Sequence, residues 1–227
     1  MNNSSLPASQ AKALKHNEYG VSLIANGYYE EAVVALASAL RLCRQMMDEA
    51  TDVPEPITTS LDECMEQSRA INCFRRSDGA NDEQYLFQRP IRIPTNIGTS
   101  YKACSLVSCM VTFNMALANQ LCAMGKDDAN DDTLRKAAKL YELGFSMQKH
   151  ENVDDNILFT LATVNNLGLI HHRLNDRTTA TKCFEYMLST LMYLTDSSTT
   201  SYSDLDGFFW NATTLASNTN SASASAA

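Results

Sequence analysis

Positive charge is scarce in this chain. Lysine and arginine number 18 against 26 aspartates and glutamates, which gives a formal net charge of -8 and an isoelectric point near 5.0. Nucleic-acid binding needs a basic stripe to meet phosphates. The one tight basic cluster is Arg75-Arg76, so nucleic acid is not an expected partner. A basic peptide suits the acidic balance better. Residues Met1 to Gln10 are polar and lack a charged start followed by an apolar run, so no secretory leader is expected. No window approaches the ~20 apolar residues that a membrane span needs. The expected compartment is therefore cytoplasm or nucleus, with no membrane partner. An even set of closely spaced cysteines is also missing. The seven cysteines (43, 64, 73, 104, 109, 122 and 183) are odd in number and scattered through apolar stretches. Reduced, buried thiols are expected rather than a disulfide framework. Catalytic signatures are absent as well: no Gly-x-Ser-x-Gly, no Cys-x-x-Cys and no Gly-rich phosphate loop. The reading is no enzyme and no cofactor.

What the chain does contain is apolar material with an internal repeat. Its 227 residues are 44% hydrophobic, enough for one domain with tails. From Ala13 to Arg44, Gly20 is followed by Leu23, Gly27, Tyr28-Tyr29, Ala32, Leu36 and Ala39. A second match reads Leu167-Gly168, His171, Leu174-Asn175, Ala180, Phe184 and Met187. In both, a small residue of a first helix precedes the small residue of a second helix by the same interval. A large apolar residue then follows one turn on. These residues resemble the signature of the tetratricopeptide (TPR) repeat, a pair of antiparallel helices. Such axes approach only where side chains are small, so Gly20 is expected against Ala32 and Gly168 against Ala180. Gly27 and Asn175 stand where a helix C-terminus often demands positive φ.

A degenerate middle repeat lies between these two. Its first helix is expected over Lys102 to Met124, ended by Gly125, and its second carries Ala137, Tyr141 and Gly144. The organisation expected is a disordered N-terminus over residues 1–10, then a single TPR-like helical domain over 11–210. Within it, repeat 1 covers 13–46, an insertion 51–100, repeat 2 102–149, repeat 3 157–195 and a C-terminal cap 203–210. The Ser/Ala/Asn/Thr tail over 216–227 is expected to be disordered. In the insertion, Leu61 to Phe74 has weak helical periodicity. Gln84 to Ile93 reads as extended, with Tyr85, Phe87, Ile91 and Ile93 favouring β and Pro90 forbidding a central strand. Leu205 to Trp210 is too apolar to leave exposed and is expected to cap the last helix pair.

Several phrases are familiar beyond the generic repeat. They are Asn17-Glu-Tyr-Gly-Val, Gly27-Tyr-Tyr-Glu-Glu-Ala, Phe113-Asn-Met-Ala-Leu, Ala138-Lys-Leu-Tyr-Glu-Leu, Asn165-Asn-Leu-Gly, Cys183-Phe-Glu and Leu205-Asp-Gly-Phe-Phe. Together they resemble a large group of uncharacterised TPR-like proteins of diatoms, over residues 13–210. The resemblance implies the fold and no particular activity.

By the repeat register, a partner-binding groove would be lined by Asn17, Val21 and Ile24 in repeat 1. Repeat 2 would add Met115, Asn119 and Cys122, and repeat 3 Asn165, Leu169, His172 and Arg173. An asparagine there offers a donor and an acceptor to an extended peptide. The chaperone-tail version of such a groove holds a terminal carboxylate with cationic donors. Asn17, Val21, Ala162 and Asn166 stand where it needs lysine, asparagine and basic residues, so carboxylate-tail binding is not expected. Metal binding is not expected either. His171 and His172 project about 100° apart on a helix. The acidic loop Asp127 to Asp132 lacks the order and distal Glu of an EF-hand.

The fold class expected is all-α: a TPR-like right-handed solenoid of three antiparallel helix pairs, with a long, partly extended insertion after the first pair. The function expected is a protein–protein interaction scaffold or adaptor, binding a protein or peptide through its first helices. The alternative is a structural or regulatory protein whose groove is occupied by its own insertion. An enzyme of unrecognised type ranks third.

Overall fold

The computed structural model describes residues 6–50, 59–68, 84–125, 131–148, 156–196 and 205–223. Among them the chain is all-helical, without a strand. The elements are α1 (Ala8–Ala25), α2 (Tyr29–Glu49), α3 (Leu61–Gln67), α4 (Tyr101–Met124), α5 (Asp131–Gln148), α6 (Ile157–Arg173), α7 (Arg177–Asp196) and α8 (Leu205–Ser223). Two compact units divide the chain. One combines Met1–Cys73 with Arg89–Asn156, and the other combines Phe74–Gln88 with Ile157–Ala227.

In the first unit α1 packs on α2, α4 on α5, and α4 also on α2 and α1. The α1–α2 turn is short because Gly27 takes φ 82. The Gly27 and Tyr28 amides then donate to the carbonyls of Ile24 and Leu23, at 3.0 and 2.9 Å. These two bonds close the helix end and satisfy carbonyls that would otherwise be orphaned. The helices pack closely at Gly20. A Cβ on Gly20 would lie 2.6 Å from Leu36 Cγ. Helical side chains lean toward the N-terminus, so Leu36 leans back over the turn that Ala32 occupies. Apolar Ala32, Ala35, Leu36, Ala39, Cys43 and Met46 form the buried stripe of α2.

The α4 helix is buried almost all round, as expected of a core helix. One 18-residue window of it reaches a mean hydropathy of 1.4, so one window does approach the composition of a membrane span. The expectation that none would is corrected here. Within the fold, 89% of that window is buried by the protein. Ser108 and Thr112 satisfy their hydroxyls on the carbonyls one turn back, at 2.8 and 2.7 Å. Ser100 caps the start of α4, accepting from the Ala103 amide at 3.3 Å. Ser60 and Glu63 form a capping box on α3. The rest of the weakly periodic stretch after Ser68 lies outside the described residues.

The N-terminus also departs from expectation. Residues 8–10 are already helical, and Ser9 and Gln10 are buried. Their side chains are satisfied from a distance: Ser9 Oγ donates to Glu49 and Gln10 Nε2 to the Gly98 carbonyl.

In the second unit α6 packs on α7, α7 on α8, and α6 on α8. Asn175 takes φ 60, and the Asn175 and Asp176 amides donate to the carbonyls of His172 and His171 at 3.1 and 2.9 Å. Asp176 then caps α7, accepting from the Thr179 amide at 3.2 Å. Gly168 meets Phe184 and Cys183, with a Cβ placed 2.9 Å from the ring and 3.1 Å from Cys183 Cβ. The lean of Phe184 explains this as it does for Leu36. The α8 helix buries Phe208, Asn211, Ala212 and Leu215, one face at 3.6 periodicity. It does not stop at Trp210, and its backbone stays helical to Ser223. Polar composition suggested an end, but no Gly or Pro follows Gly207 to make one.

Candidate functional site

Between α3 and α4 the described chain leaves the helix from Gln84 to Pro94. Main-chain groups there have no helical partner. A buried amide or carbonyl must still find one. In each unit, buried asparagines supply it.

In the first unit the clamped residue is Ile91, itself fully buried. The Ile91 amide donates to Asn114 Oδ1 at 2.6 Å, and Asn114 Nδ2 donates back to the Ile91 carbonyl at 2.8 Å. One side-chain amide thus pairs with both polar groups of one residue. The second Nδ2 hydrogen of Asn114 reaches Asn17 Oδ1 at 2.9 Å, and Asn17 Nδ2 donates to the same Ile91 carbonyl at 3.2 Å. Asn17 and Asn114 are 1% and 0% exposed. Burying an amide without partners costs roughly 1–3 kcal/mol. Here every strong donor of Asn114 is used. Next along the segment, the Arg92 amide donates to Ser68 Oγ at 2.9 Å, and Ser68 donates to the Cys64 carbonyl at 2.7 Å. The Arg92–Glu18 ion pair (3.2 Å) is about half exposed on both sides and contributes less than about 1 kcal/mol.

In the second unit the same arrangement occurs twice. The Phe87 amide donates to Asn166 Oδ1 at 3.1 Å, and Asn166 Nδ2 returns a bond to the Phe87 carbonyl at 2.9 Å. The Tyr85 amide donates to Asn211 Oδ1 at 2.9 Å, and Asn211 Nδ2 donates to the Tyr85 carbonyl at 2.6 Å. Asn165 links the two clamps. It donates to the Tyr85 carbonyl at 2.9 Å and to Asn166 Oδ1 at 3.1 Å, and it accepts from Asn211 Nδ2 at 2.6 Å. All three asparagines are fully buried. The side chains of the clamped residues meet α8. The Tyr85 ring lies on Gly207, where a Cβ would sit 2.3 Å from Tyr85 Cγ. Phe208 meets Tyr85 edge-on (5.2 Å, 89°) and stacks near-parallel with Phe87 (6.1 Å, 17°).

The residues expected along a groove divide in two. Asn17 and Asn165 hydrogen-bond main chain, each in its own unit. Val21, Ile24 and Leu169 are buried core residues. Asn119 donates to the Met115 carbonyl on its own helix at 2.8 Å. Met115, Cys122 and His172 are half-buried and Arg173 is exposed. Sequence reasoning passed over Asn114, Asn166 and Asn211 as binding residues. The signal for Asn114 was present: a lone amide among Val111, Phe113, Ala116 and Leu117 must have a partner.

Other candidate chemistry is thin. Among the described residues no group of three or more His, Cys, Asp or Glu could hold a metal. Asp127 to Asn130 lie outside them, and Asp131 and Asp132 begin α5. His171 Nδ1 lies 3.0 Å from Asp176 Oδ2, across the α6–α7 turn. The Thr179 hydroxyl and amide hold the Asp176 carboxyl below its usual value. The six described cysteines are free thiols. Burial pushes Cys43 up to about 11 and Cys64 up to about 12. Neither is a nucleophile at neutral pH.

Comparison with known proteins returns no matching family model, no matching curated protein and no matching solved structure.

Proposed function

We propose that the chain is an interaction scaffold of TPR-like helix pairs, arranged as a right-handed solenoid, whose peptide-binding asparagines are held by its own insertion. The carrying observation is the double hydrogen bond from one buried asparagine to both main-chain groups of one residue, at Ile91, Phe87 and Tyr85. Side-chain amides in this arrangement suit an extended peptide and no reaction. The interaction is regulated by occupancy: a protein partner gains the asparagines when the insertion releases them.

The test compares partners recovered from cells. The full-length Tyr85→Ser/Phe87→Ser protein should capture partners that the wild type does not. Adding Asn165→Ala and Asn166→Ala should lose those same partners. Identical partner sets for all three proteins would rule the reading out.

A further inference from the structure

We infer that α6 and α8 of the second unit form a binding site for an extended peptide with aromatic side chains at alternate positions, of which Gln84–Gln88 is the resident occupant. The inference rests on the scaffold reading and adds the chemistry of the partner.

The asparagines alone give no side-chain selectivity. They address the amide and carbonyl of Tyr85 and of Phe87, groups that every non-proline residue offers. In an extended chain, residues two apart present these groups to the same side. Selectivity comes from α8. Gly207 lacks the Cβ that would collide with Tyr85 Cγ at 2.3 Å. The result is a flat seat that the planar Tyr85 ring fills. Phe208 is fully buried and serves both positions, edge-on to one ring and near-parallel to the other. Ring pairs in these geometries add to the attraction of burial alone. Phe87 is 2% exposed, so a charged side chain in its place would be buried without a partner. The class that fits is aromatic-x-aromatic in extended form. The occupant we assign is such a segment of another protein, competing with Tyr85 and Phe87.

The experiment uses the full-length Tyr85→Ser/Phe87→Ser protein and a labelled, end-blocked peptide of residues 82–89, read by fluorescence anisotropy. Saturable binding is expected, at least about tenfold tighter than to the wild type. A peptide with leucine at both aromatic positions should bind about tenfold more weakly. Adding Asn166→Ala and Asn211→Ala to the protein should abolish binding. If the serine variant is unfolded, the readout becomes recovery of helical circular dichroism on adding the aromatic peptide, with the leucine peptide as control. Equal performance of the two peptides overturns the aromatic class and leaves the scaffold reading standing. No binding and no recovery with either peptide overturns the site. A wild-type dimer that dissociates in the serine variant overturns the assigned occupant in favour of a second copy of the chain.

Discussion

An asparagine that pairs with both main-chain groups of a residue works because its amide has one donating and one accepting end. The peptide N–H decides which end faces it. Asn166→Asp keeps the shape and turns the donor toward Phe87 into a second acceptor, set 2.9 Å from a carbonyl in the wild type. The expected loss is about 3 kcal/mol at neutral pH, because a buried charge is left against an acceptor. The new carboxyl favours its neutral form when folded, so its folded pKa lies above the unfolded value. The deficit should shrink as pH falls through that folded value, since a protonated oxygen regains a donor. Urea midpoints of wild type and variant across pH check both size and sign. The thiols titrate at the other end of the scale. Burial raises Cys43 from 9.0 to about 11. The native state therefore holds a proton that the unfolded chain has lost in that interval. Stability should fall as pH climbs from about 9 to about 11. In the native protein at pH 8, Cys43 and Cys64 should resist iodoacetamide, while half-buried Cys122 and Cys183 react first. Mass spectrometry of the digests distinguishes these outcomes.

At the scale of elements, helix ends and buried stripes were the legible part of the sequence. Gly27 and Asn175 both take the positive φ their positions suggested. The apolar spacing of α2 marked its buried face. What periodicity could not show was where a polar residue inside such a stripe would turn. Asn114 looks like an interruption of α4 until Ile91 is placed against it. Asn211 falls just past the apolar run Leu205 to Trp210, and only the burial of Phe208, Ala212 and Leu215 puts it on the inner face of α8. Partner distance, not residue type, was the missing information: Asn211 and Tyr85 are 126 residues apart. Gly207 gives a test with an unusual sign. In a helix interior, Gly→Ala is worth up to about 1 kcal/mol of added stability. With Tyr85 Cγ 2.3 Å from the new Cβ, Gly207→Ala should instead destabilise by about 1–3 kcal/mol. Adding Tyr85→Ala to that variant should recover part of the loss. A stabilised Gly207→Ala would mean that the ring does not sit there.

On the whole-molecule scale, each compact unit joins two separated stretches of sequence. Each carries its own clamps: Asn17 and Asn114 in the first unit, and Asn165, Asn166 and Asn211 in the second. Truncation before α8 removes Asn211 and Phe208 together. The Tyr85 and Phe87 amides should then exchange with deuterium much faster. The Ile91 amide, held by Asn114, should keep its protection. Amide exchange followed by NMR reads each position separately. Loss of protection at Ile91 as well would show that its clamp depends on α8.

The placing of Asn211 also sets an order on synthesis. Chains emerge from the N-terminus, and domains close as their last required residues appear. The Ile91 clamp needs nothing beyond Asn114, only 23 residues later. The Tyr85 clamp waits for Asn211, 126 residues later. Until α6 and α8 are made, Tyr85 and Phe87 lack their eventual partners. Their aromatic side chains are then available to whatever binds nascent hydrophobic segments. A stop before Asn211 would therefore leave the Tyr85 clamp unmade and that aromatic side chain unclaimed, a ready mark for cellular quality control.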